Sequence, residues 1–302
     1  MGGQQKRELG FTRPDIRPNR NIKEQTQISN FLDHETAKID TLIETQQQLI
    51  KLLKEKRMAV ISHAVTKGLN PDVPMRDSGV KWIGEIPEHW NVAEIRRITL
   101  DHRQGYYSEK GYDETGHRVV RITDILEHNI IDVSNSPFFK LDEENRVRYE
   151  LRNGDFLFQR TGSHKKIGIF NSNEPSVYAS FLIRFRFDKR VNQNFLLNYF
   201  NSKLYIDQLN EQIHGGVNPN INAENIKVCK FVIPPIDEQE SIGLFIKGHL
   251  SQLHQLILKA ESAIRLIQER RTALISAAVT GKIDLRNWQA PNQCHPQKED
   301  AA

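Results

Sequence analysis

The sequence predicts a mixed α/β (α+β) fold in which one strand-rich domain lies between two long helices. Two observations in the 302-residue chain support this fold class. Residues 22–66 repeat without a gap at residues 236–280, with 17 identities in 45 positions. The segment between the copies carries short runs rich in β-branched and aromatic residues, which are typical of strands. The repeat at a fixed spacing favours two equivalent helices over two unrelated surface helices.

The chain divides into six predicted segments. Residues 1–21 are basic and lack the periodicity of a packed element, so we expect a disordered tail. The remaining segments are a first long helix over 22–68, a connector with Pro and Trp over 69–90, a strand-rich domain over 91–235, a second long helix over 236–282 and a C-terminal tail over 283–302.

Both long helices carry apolar residues at seven-residue intervals, which favours a coiled coil. Gly68 and Gly281 stand where glycine commonly ends a helix. At ~1.5 Å per residue, each helix would be about 65 Å long. We predict antiparallel packing, because a compact domain joins the end of one helix to the start of the other. The predicted seam residues are Leu32, Ile39, Leu42, Leu49, Leu53 and Val60 in the first helix and Leu253, Leu256, Ile267 and Leu274 in the second.

The connector is expected to be ordered and to dock through Trp82 and Trp90. Beyond it, strand-forming composition predicts strands over 118–125, 154–160, 166–170 and 177–187, and a closing strand over 226–235. Residues 194–213 have helical spacing. About 145 residues suffice for a core of their own.

Composition sets limits on the class of protein. With 38% hydrophobic and 26% charged residues, the chain is typical of globular domains. It has no apolar run long enough for a transmembrane helix and no secretory signal at its start. The two cysteines, Cys229 and Cys294, have no pairing or metal-ligand spacing, which is consistent with a reducing, cytoplasmic setting. The net charge of +4 permits an anionic partner without requiring one.

Three polar loops in the strand-rich domain are candidate DNA-contacting segments. Each can also be interpreted as a solvated surface turn. In the first of them, Arg160 could read a guanine edge, and in the last the asparagines suit adenine. The candidate residues are Arg160, Ser163, His164, Lys165 and Lys166 over 159–166, Arg103, Tyr106, Tyr107 and Lys110 over 101–111, and Asn218 and Asn220 over 214–222.

Catalytic motifs are missing from the sequence. It contains no phosphate-binding G-x-x-x-x-G-K-[ST] motif, no dinucleotide fingerprint and no Asn-Pro-Pro-aromatic tetrapeptide of an amino-methyltransferase. The histidines are scattered, so no metal site is predicted. We therefore expect no catalytic residues, although a missing motif does not exclude an enzyme. A coiled-coil protein that binds another protein through its middle domain remains an alternative.

Several stretches resemble the specificity (S) subunit of Type I restriction–modification systems. They are "KEKRMAVISHAVTKGLNPDVPMRDSGVKWIGEIPEHW", "YELRNGDFLFQRTGSHKKIGIF" and "IDEQESIGLFI", followed by "ERRTALISAAVTGKIDLR". The resemblance covers about residues 22–288. It implies that the strand-rich segment is a target recognition domain, which reads one half of an interrupted double-stranded DNA sequence.

The resemblance also implies the partners. The two long helices resemble the family's spacer segments between recognition domains, and they would dock modification subunits, which bind S-adenosylmethionine and methylate adenine. Restriction subunits, which use ATP, would join the complex, and this chain itself would need no cofactor. The family has two recognition domains, whereas this sequence contains one. We expect a half-length form that pairs with itself or with another half, that complements a separately encoded first half, or that is an inactive remnant or a recombination cassette.

Overall fold

The computed structural model describes residues 22–109, 111–126, 129–162, 166–212 and 220–290. It is a mixed α/β protein in which long helices flank a strand-rich domain, as predicted. The chain folds into two compact units. The predicted tail over 1–21 and the last twelve residues lie outside the described residues.

A long helix lies near each end of the described chain. They are α1 (Ile22–Lys67), α2 (Glu143–Tyr149), α3 (Gln193–Phe200), α4 (Lys203–Gln212), α5 (Ala223–Lys227) and α6 (Ile236–Val279), with 3₁₀ turns at Ile95–Arg97 and Ile122–Asp124. Helix α1 ends before Gly68 and helix α6 ends before Gly281. Both glycines have positive φ, of 77° and 78°, a conformation that glycine adopts without strain.

One unit contains the first half of α1 and the second half of α6, which pack antiparallel. Asp40 forms an ion pair with Arg271 at 3.3 Å. Nearer the start of α1, Gln27 Nε2 donates to the carbonyl of Trp288 at 3.0 Å, and Phe31 packs edge-on against the Trp288 ring at 5.3 Å. Low numbers in α1 therefore meet high numbers in α6 and beyond.

The seam differs in part from the prediction. Ile39, Leu53 and Leu253 are buried, and Leu32, Val60, Ile267 and Leu274 are half-buried. The second predicted row is wrong, because Leu42, Leu49 and Leu256 are 52%, 42% and 48% exposed. The predicted residues at seven-residue intervals are joined in the seam by a second row that lies four residues further along the helix, not three. Spacings of three and of four residues both return to the same side of a helix. The members of this row are Ile43, Ile50, Arg57 and Ala64 in α1 and Leu250, Ile257, Ile264, Arg271 and Ala278 in α6, all buried or half-buried.

The other unit, over residues 51–256, holds the strand-rich domain. Its central sheet has four antiparallel strands in the order β4 (Thr99–Gln104), β10 (Leu182–Phe187), β7 (Phe156–Gln159) and β8 (Ile167–Ile169). A second sheet contains β6 (Phe138–Phe139), β5 (His117–Val120) and β9 (Ser176–Tyr178), with β5 and β9 parallel. Two further pairs join β1 (Met75–Asp77) to β2 (Glu85–Pro87) and β3 (Asn91–Glu94) to β11 (Lys230–Ile233).

Both faces of the central sheet are covered. On one face, Phe156, Phe158 and Phe185 join a large core that also contains residues of α1, α3 and α6. On the other face, Leu157 and Leu182 pack in a second cluster with residues of β5 and β9. All four side chains of β7 are consequently buried, as expected of a central strand covered on both faces.

Four predicted elements need correction. The run over 177–187 is two strands, because a turn at Ala179–Phe181 carries the chain from the second sheet to the central one. The helix over 194–213 is α3 and α4, separated where Ser202 Oγ accepts from the amide of Tyr205. The closing strand begins only at Lys230, since Asn222 caps α5 before it. The strand over 118–125 ends at Val120 and continues as a 3₁₀ turn.

The connector is ordered, and the prediction of its aromatic docking is right for one tryptophan. The Trp90 side chain is fully buried, and its Nε1 donates to Glu238 at 2.9 Å. Trp82 is half exposed and does not share this role.

Candidate nucleic-acid interface

The described parts of the three polar loops predicted from the sequence meet at one edge of the central sheet. Strands β4 and β7 end there, at Gln104 and Gln159, and the antiparallel strand β10 begins there, at Leu182. The loop over 101–111 leaves β4, and the loop over 159–166 leaves β7. The third loop joins the second one, because Thr161 and Asn220 form an antiparallel bridge. This edge is called the loop edge below.

A turn over 179–181 lies at the centre of the loop edge. The amide of Gly105 donates to Leu182 O at 2.9 Å, and Gln104 Nε2 donates to Ser180 O at 3.2 Å. From the other side, the amide of Arg160 donates to Phe181 O at 2.9 Å. The turn therefore ties the first loop to the second through backbone atoms.

Gly105 is required for the first loop to approach the turn. A Cβ atom added at this position would lie 2.1 Å from the carbonyl oxygen of Ala179, a distance that real Cβ atoms do not show. The following residue, Tyr106, donates its amide to Tyr178 O at 2.8 Å. Glycine thus lets two backbone segments meet without an intervening side chain.

The base of the second loop is fastened by Gln159, which is 8% exposed. Its backbone amide donates to Lys166 O at 2.9 Å, and its side-chain Oε1 accepts from the backbone amide of Lys166 at 3.0 Å. The half-buried Arg160 follows directly, and its carbonyl accepts from the amide of Ile221. The backbone of Arg160 is therefore held at the rigid base of the second loop. Ser163, His164 and Lys165, also predicted here, lie outside the described residues.

Lys166 has a structural position that the sequence did not indicate. Its Nζ donates to the carbonyls of Ile125 at 2.8 Å and Ile122 at 3.4 Å. These carbonyls belong to the 3₁₀ turn and the residue after it, so Lys166 fastens that segment to the loop. An ammonium group in this position has fewer donors left for phosphate.

The predicted residues of the first loop divide into two kinds. Tyr106 is half-buried and packs against the rings of Tyr149 at 5.3 Å and Phe139 at 5.6 Å. Tyr107 is 69% exposed. Tyr106 thus anchors the loop, while Tyr107 is available to a ligand. Arg103 is half-buried on β4, and Lys110 lies outside the described residues.

In the third loop, Asn220 is exposed beside Thr161, and Asn218 lies outside the described residues. The exposed amide of Asn220 keeps hydrogen-bonding atoms at the loop edge, next to Arg160.

A partly buried ionic network supports the sheet behind the loop edge. Arg184 is 2% exposed, and it donates to Asp101 through Nη2 and to the Tyr178 hydroxyl through Nε at 3.3 Å. Burial alone would raise the pKa of Asp101, but the hydrogen bond and charge of Arg184 lower it below its ordinary value. Burial alone would lower the pKa of Arg184, but the hydrogen bond to Asp101 raises it above its ordinary value. Both groups therefore stay charged and fix β4 against β10.

A second charge cluster holds the 3₁₀ turn that Lys166 contacts. Asp124 is 6% exposed and accepts from Arg121 Nη2 at 2.9 Å and from Ser136 Oγ at 2.9 Å. Burial alone would raise the pKa of Asp124, but the bonds from Arg121 and Ser136 lower it. The carboxylate therefore stays ionised and keeps the segment behind the loop edge in place.

Sequence reasoning missed several residues near the interface. Gln104 and Phe181 lie at the loop edge itself, and Phe181 is 56% exposed although it belongs to a run predicted as strand. Away from the loop edge, a basic depression of about 470 Å³ lies along the start of β4. It is lined by Arg96, Arg97, Thr99, Leu100, His102 and Lys227. Two of its cations are paired with acids, Arg96 with Glu94 and Lys227 with Glu224, so its net positive charge is small.

Within the described part of the chain, no group of three or more His, Cys, Asp or Glu side chains is arranged to hold a metal ion. In the same residues, no helix is long and apolar enough to cross a membrane. The loop edge instead offers an arginine, amide side chains and exposed aromatic rings, a set suited to hydrogen bonds and apolar contacts with base edges and phosphates.

Comparison with known proteins relates this geometry to a family. The model of the Type I restriction modification DNA specificity domain matches residues 108–261. The chain is 24% identical over 273 residues to the Type I restriction enzyme MjaVIII specificity subunit of Methanocaldococcus jannaschii, covering 88% of this chain and 61% of that protein. It is 24% identical over 278 residues to the StySPI specificity subunit of Salmonella potsdam, covering 90% and 58%.

A solved structure has a similar fold. The HsdS subunit from Thermoanaerobacter tengcongensis superposes with a TM-score of 0.54 at 13% sequence identity, covering 86% of this chain and 59% of that one. The chain spans about three fifths of the length of the curated relatives that it matches.

Proposed function

The chain belongs to the Type I restriction modification DNA specificity family, and on that premise we propose that it reads DNA for a Type I restriction–modification complex. One observation carries the proposal. Three segments that are separate in sequence and carry Arg160, Asn220 and Tyr107 are joined by backbone contacts at one edge of a single sheet. Such an edge can contact base edges and phosphates at once, which sequence reading requires.

The chain acts as a non-catalytic subunit in this proposal. It recognises one part of a bipartite double-stranded site, and methyltransferase subunits modify adenine there. S-adenosylmethionine would be bound by those partners, and ATP by restriction subunits. The described residues of this chain contribute recognition atoms but no cluster suited to a metal ion.

Exposed leucines on the two long helices support a docking role for them. Leu42 and Leu256 occupy matched positions of the repeat and are 52% and 48% exposed. Leu52 and Leu266 are also matched, and each is 59% exposed. Apolar residues exposed at the same positions in both copies fit two equivalent partner subunits, each binding one copy of the helix. We propose methyltransferase subunits as these partners.

The experiment that tests the proposal is co-expression of the full chain with a methyltransferase subunit of the same system, followed by methylome sequencing of the host DNA. We expect an adenine-methylation motif that appears only when both proteins are present. The matched control is the Arg160→Ala variant, which should weaken or relax the motif while the complex still assembles. A methylome that is unchanged by a complex that does assemble would contradict DNA reading by this chain.

The form of the motif also distinguishes how the chain is used. A palindromic bipartite motif would indicate two copies of this chain in one complex. An asymmetric motif would indicate a second, different recognition domain. Methyltransferase activity of the purified chain alone with DNA and S-adenosylmethionine would contradict the non-catalytic role.

A further inference from the structure

We infer that Phe181 reads DNA sequence directly, by placing its ring against the C5-methyl group of a thymine in the major groove. This inference rests on the proposed function and adds to it a residue that hydrogen-bond chemistry alone would not select. The side chain of Phe181 is 56% exposed, whereas its neighbour Leu182 is fully buried. The core is therefore filled by Leu182, and the ring of Phe181 faces solvent at the loop edge.

The backbone of Phe181 is held from several directions. Its carbonyl accepts from the amide of Arg160, and the next residue, Leu182, donates to Ala179 O and accepts from Gly105 N, each at 2.9 Å. At the other end of the turn, the amide of Ala179 donates to Val120 O at 2.9 Å. The ring is thus carried by a turn fastened to β5, to the first loop and to the second loop. A rigid support of this kind is what a recognition side chain needs, because little conformational entropy is lost on binding.

The neighbours of Phe181 supply the complementary chemistry. Arg160 follows β7 beside it, and Gln104 Nε2 is bonded to the preceding residue of the turn, Ser180. In the major groove, arginine pairs with guanine and glutamine with adenine, whereas thymine presents a methyl group that favours an apolar contact. An exposed phenyl ring on a turn that is hydrogen-bonded to an arginine backbone and a glutamine side chain therefore matches a groove surface that contains a methyl group.

A single exposed apolar residue is common on protein surfaces and carries no meaning by itself. Phe181 differs by its position. It lies in the turn on which two of the three loops converge. The strongly exposed Tyr107 comes directly after Gly105 and Tyr106, whose amides bind the backbone on either side of this turn. Leu100, by comparison, is 67% exposed on β4 at the end remote from the loop edge. It serves as a matched control, because it is equally apolar and exposed but is placed away from the turn.

The test begins with a pool of random-sequence DNA duplexes, which is selected with the full chain purified together with its methyltransferase subunit. The same selection is made with Phe181→Ala and Leu100→Ala. We expect Phe181→Ala to lose base preference at one position of the enriched site, that position to contain thymine in the wild-type selection, and Leu100→Ala to retain the whole preference.

The thymine at that position is then replaced by uracil, which removes only the methyl group. We expect the affinity of the wild-type complex to fall about fourfold, the size expected for one buried methyl group of about 0.8 kcal/mol, and the affinity of Phe181→Ala to be unchanged by the same replacement. The uracil scan on wild-type protein needs no variant, so it remains decisive if Phe181→Ala fails to fold.

The outcomes separate the two proposals. If the wild-type complex enriches no sequence, the proposed function and this inference fail together. If it enriches a site that Phe181→Ala reads equally well, or if no thymine in the site responds to uracil, DNA reading stands and the role of Phe181 is overturned.

Discussion

At the scale of single residues, close backbone contact at Gly105 should decide whether the loop edge forms. Gly105→Ala would place its Cβ 2.1 Å from Ala179 O, so the loop and the turn must separate. Overpacking of this kind costs about 1–3 kcal/mol. We expect a lower melting temperature and a loss of sequence preference in DNA binding. Gly111→Ala in the same loop is the matched control, because among the described residues no atom beyond its chain neighbours lies within 4 Å of its added Cβ. Equal effects of both variants would contradict the role of the contact.

Asp124 should make folding stability depend on pH. Although burial alone would raise it, the folded-state pKa of Asp124 is lowered by Arg121 and Ser136. A carboxyl group with a lowered pKa stabilises the folded state above its unfolded pKa, and this contribution is lost as the pH falls through the folded pKa. At neutral pH, we expect Asp124→Asn to reduce the free energy of unfolding by about 1.5–3 kcal/mol, the range for charged hydrogen bonds. Urea denaturation at decreasing pH should show this difference shrinking, and parallel curves at all pH values would contradict the assignment.

Residue type was a better guide to the candidate site than to the task of each side chain. The sequence pointed to Arg160, Tyr107 and Asn220, which the structure places at one edge. It equally pointed to Tyr106 and Lys166, whose side chains are directed toward neighbouring aromatic rings and backbone carbonyls. A basic or aromatic residue in a loop looks the same in either role, because the contacts that decide it come from distant segments.

At the scale of elements, adjacent residues of α6 should respond in opposite ways to the same substitution. Ile257 is 9% exposed, whereas Leu256 is 48% exposed. An unpaired aspartate on the buried seam is costly, so Ile257→Asp should lower the melting temperature strongly. Leu256→Asp should leave the melting temperature within a few degrees of wild type.

Leu256→Asp should instead weaken capture of the methyltransferase subunit in a pull-down, if exposed leucines dock that partner. Equal thermal destabilisation by both substitutions would contradict the burial pattern. Full capture by Leu256→Asp would remove that leucine from the proposed docking surface.

The repeat itself held the signal for the correct seam. Apolar residues at seven-residue intervals can share the buried face of a helix with the row three residues later or with the row four residues later. The row at four residues is the one that the two copies share, as Ile43/Ile257, Ile50/Ile264, Arg57/Arg271 and Ala64/Ala278. The matched leucines Leu42 and Leu256 are exposed instead. Apolarity alone could not separate the rows, since the exposed residues Leu42 and Leu256 are also apolar.

The local sequence also could not predict that residues 177–187 form two strands. Six of these eleven residues are Val, Ile, Tyr or Phe, which favour strands, and nothing local shows that the chain changes sheets there. The turn is specified by bonds from Val120, Gly105 and Arg160, which lie far away in sequence. The strand-rich composition predicted the domain, while the turn depends on tertiary contacts.

At the scale of the whole molecule, the charge balance makes a prediction about DNA affinity. The chain carries a net charge of +4, and residues 80–235 carry 21 Lys and Arg against 20 Asp and Glu, a net of +1. General attraction to DNA is therefore weak, and phosphate contacts must come from a few local cations. Affinity through Z phosphate contacts falls with salt, and the slope of log K against log salt is about −0.9 per contact. A small number of contacts should give a shallow slope.

Arg160 should account for part of that slope if its guanidinium binds phosphate, and for sequence preference if it binds a base. Binding of the full complex to a duplex that carries its methylation motif, measured over a range of salt concentrations, separates these cases. For a phosphate contact, Arg160→Ala should reduce the slope by about 0.9 and weaken binding to all sequences alike. For a base contact, affinity for the motif should fall by about 1–3 kcal/mol, with relaxed specificity at one position.

Arg190→Ala is the matched control for this measurement. Arg190 lies shortly after the end of β10 that is remote from the loop edge, is strongly exposed and pairs with Asp188 at 2.8 Å. The same charge is removed from the same domain, so a general electrostatic effect would change both variants equally. A change in slope or specificity confined to Arg160→Ala would localise DNA to the loop edge. Equal changes in the two variants would mean that DNA affinity depends on the overall charge of the domain. That result would contradict the assignment of the loop edge as the reading surface.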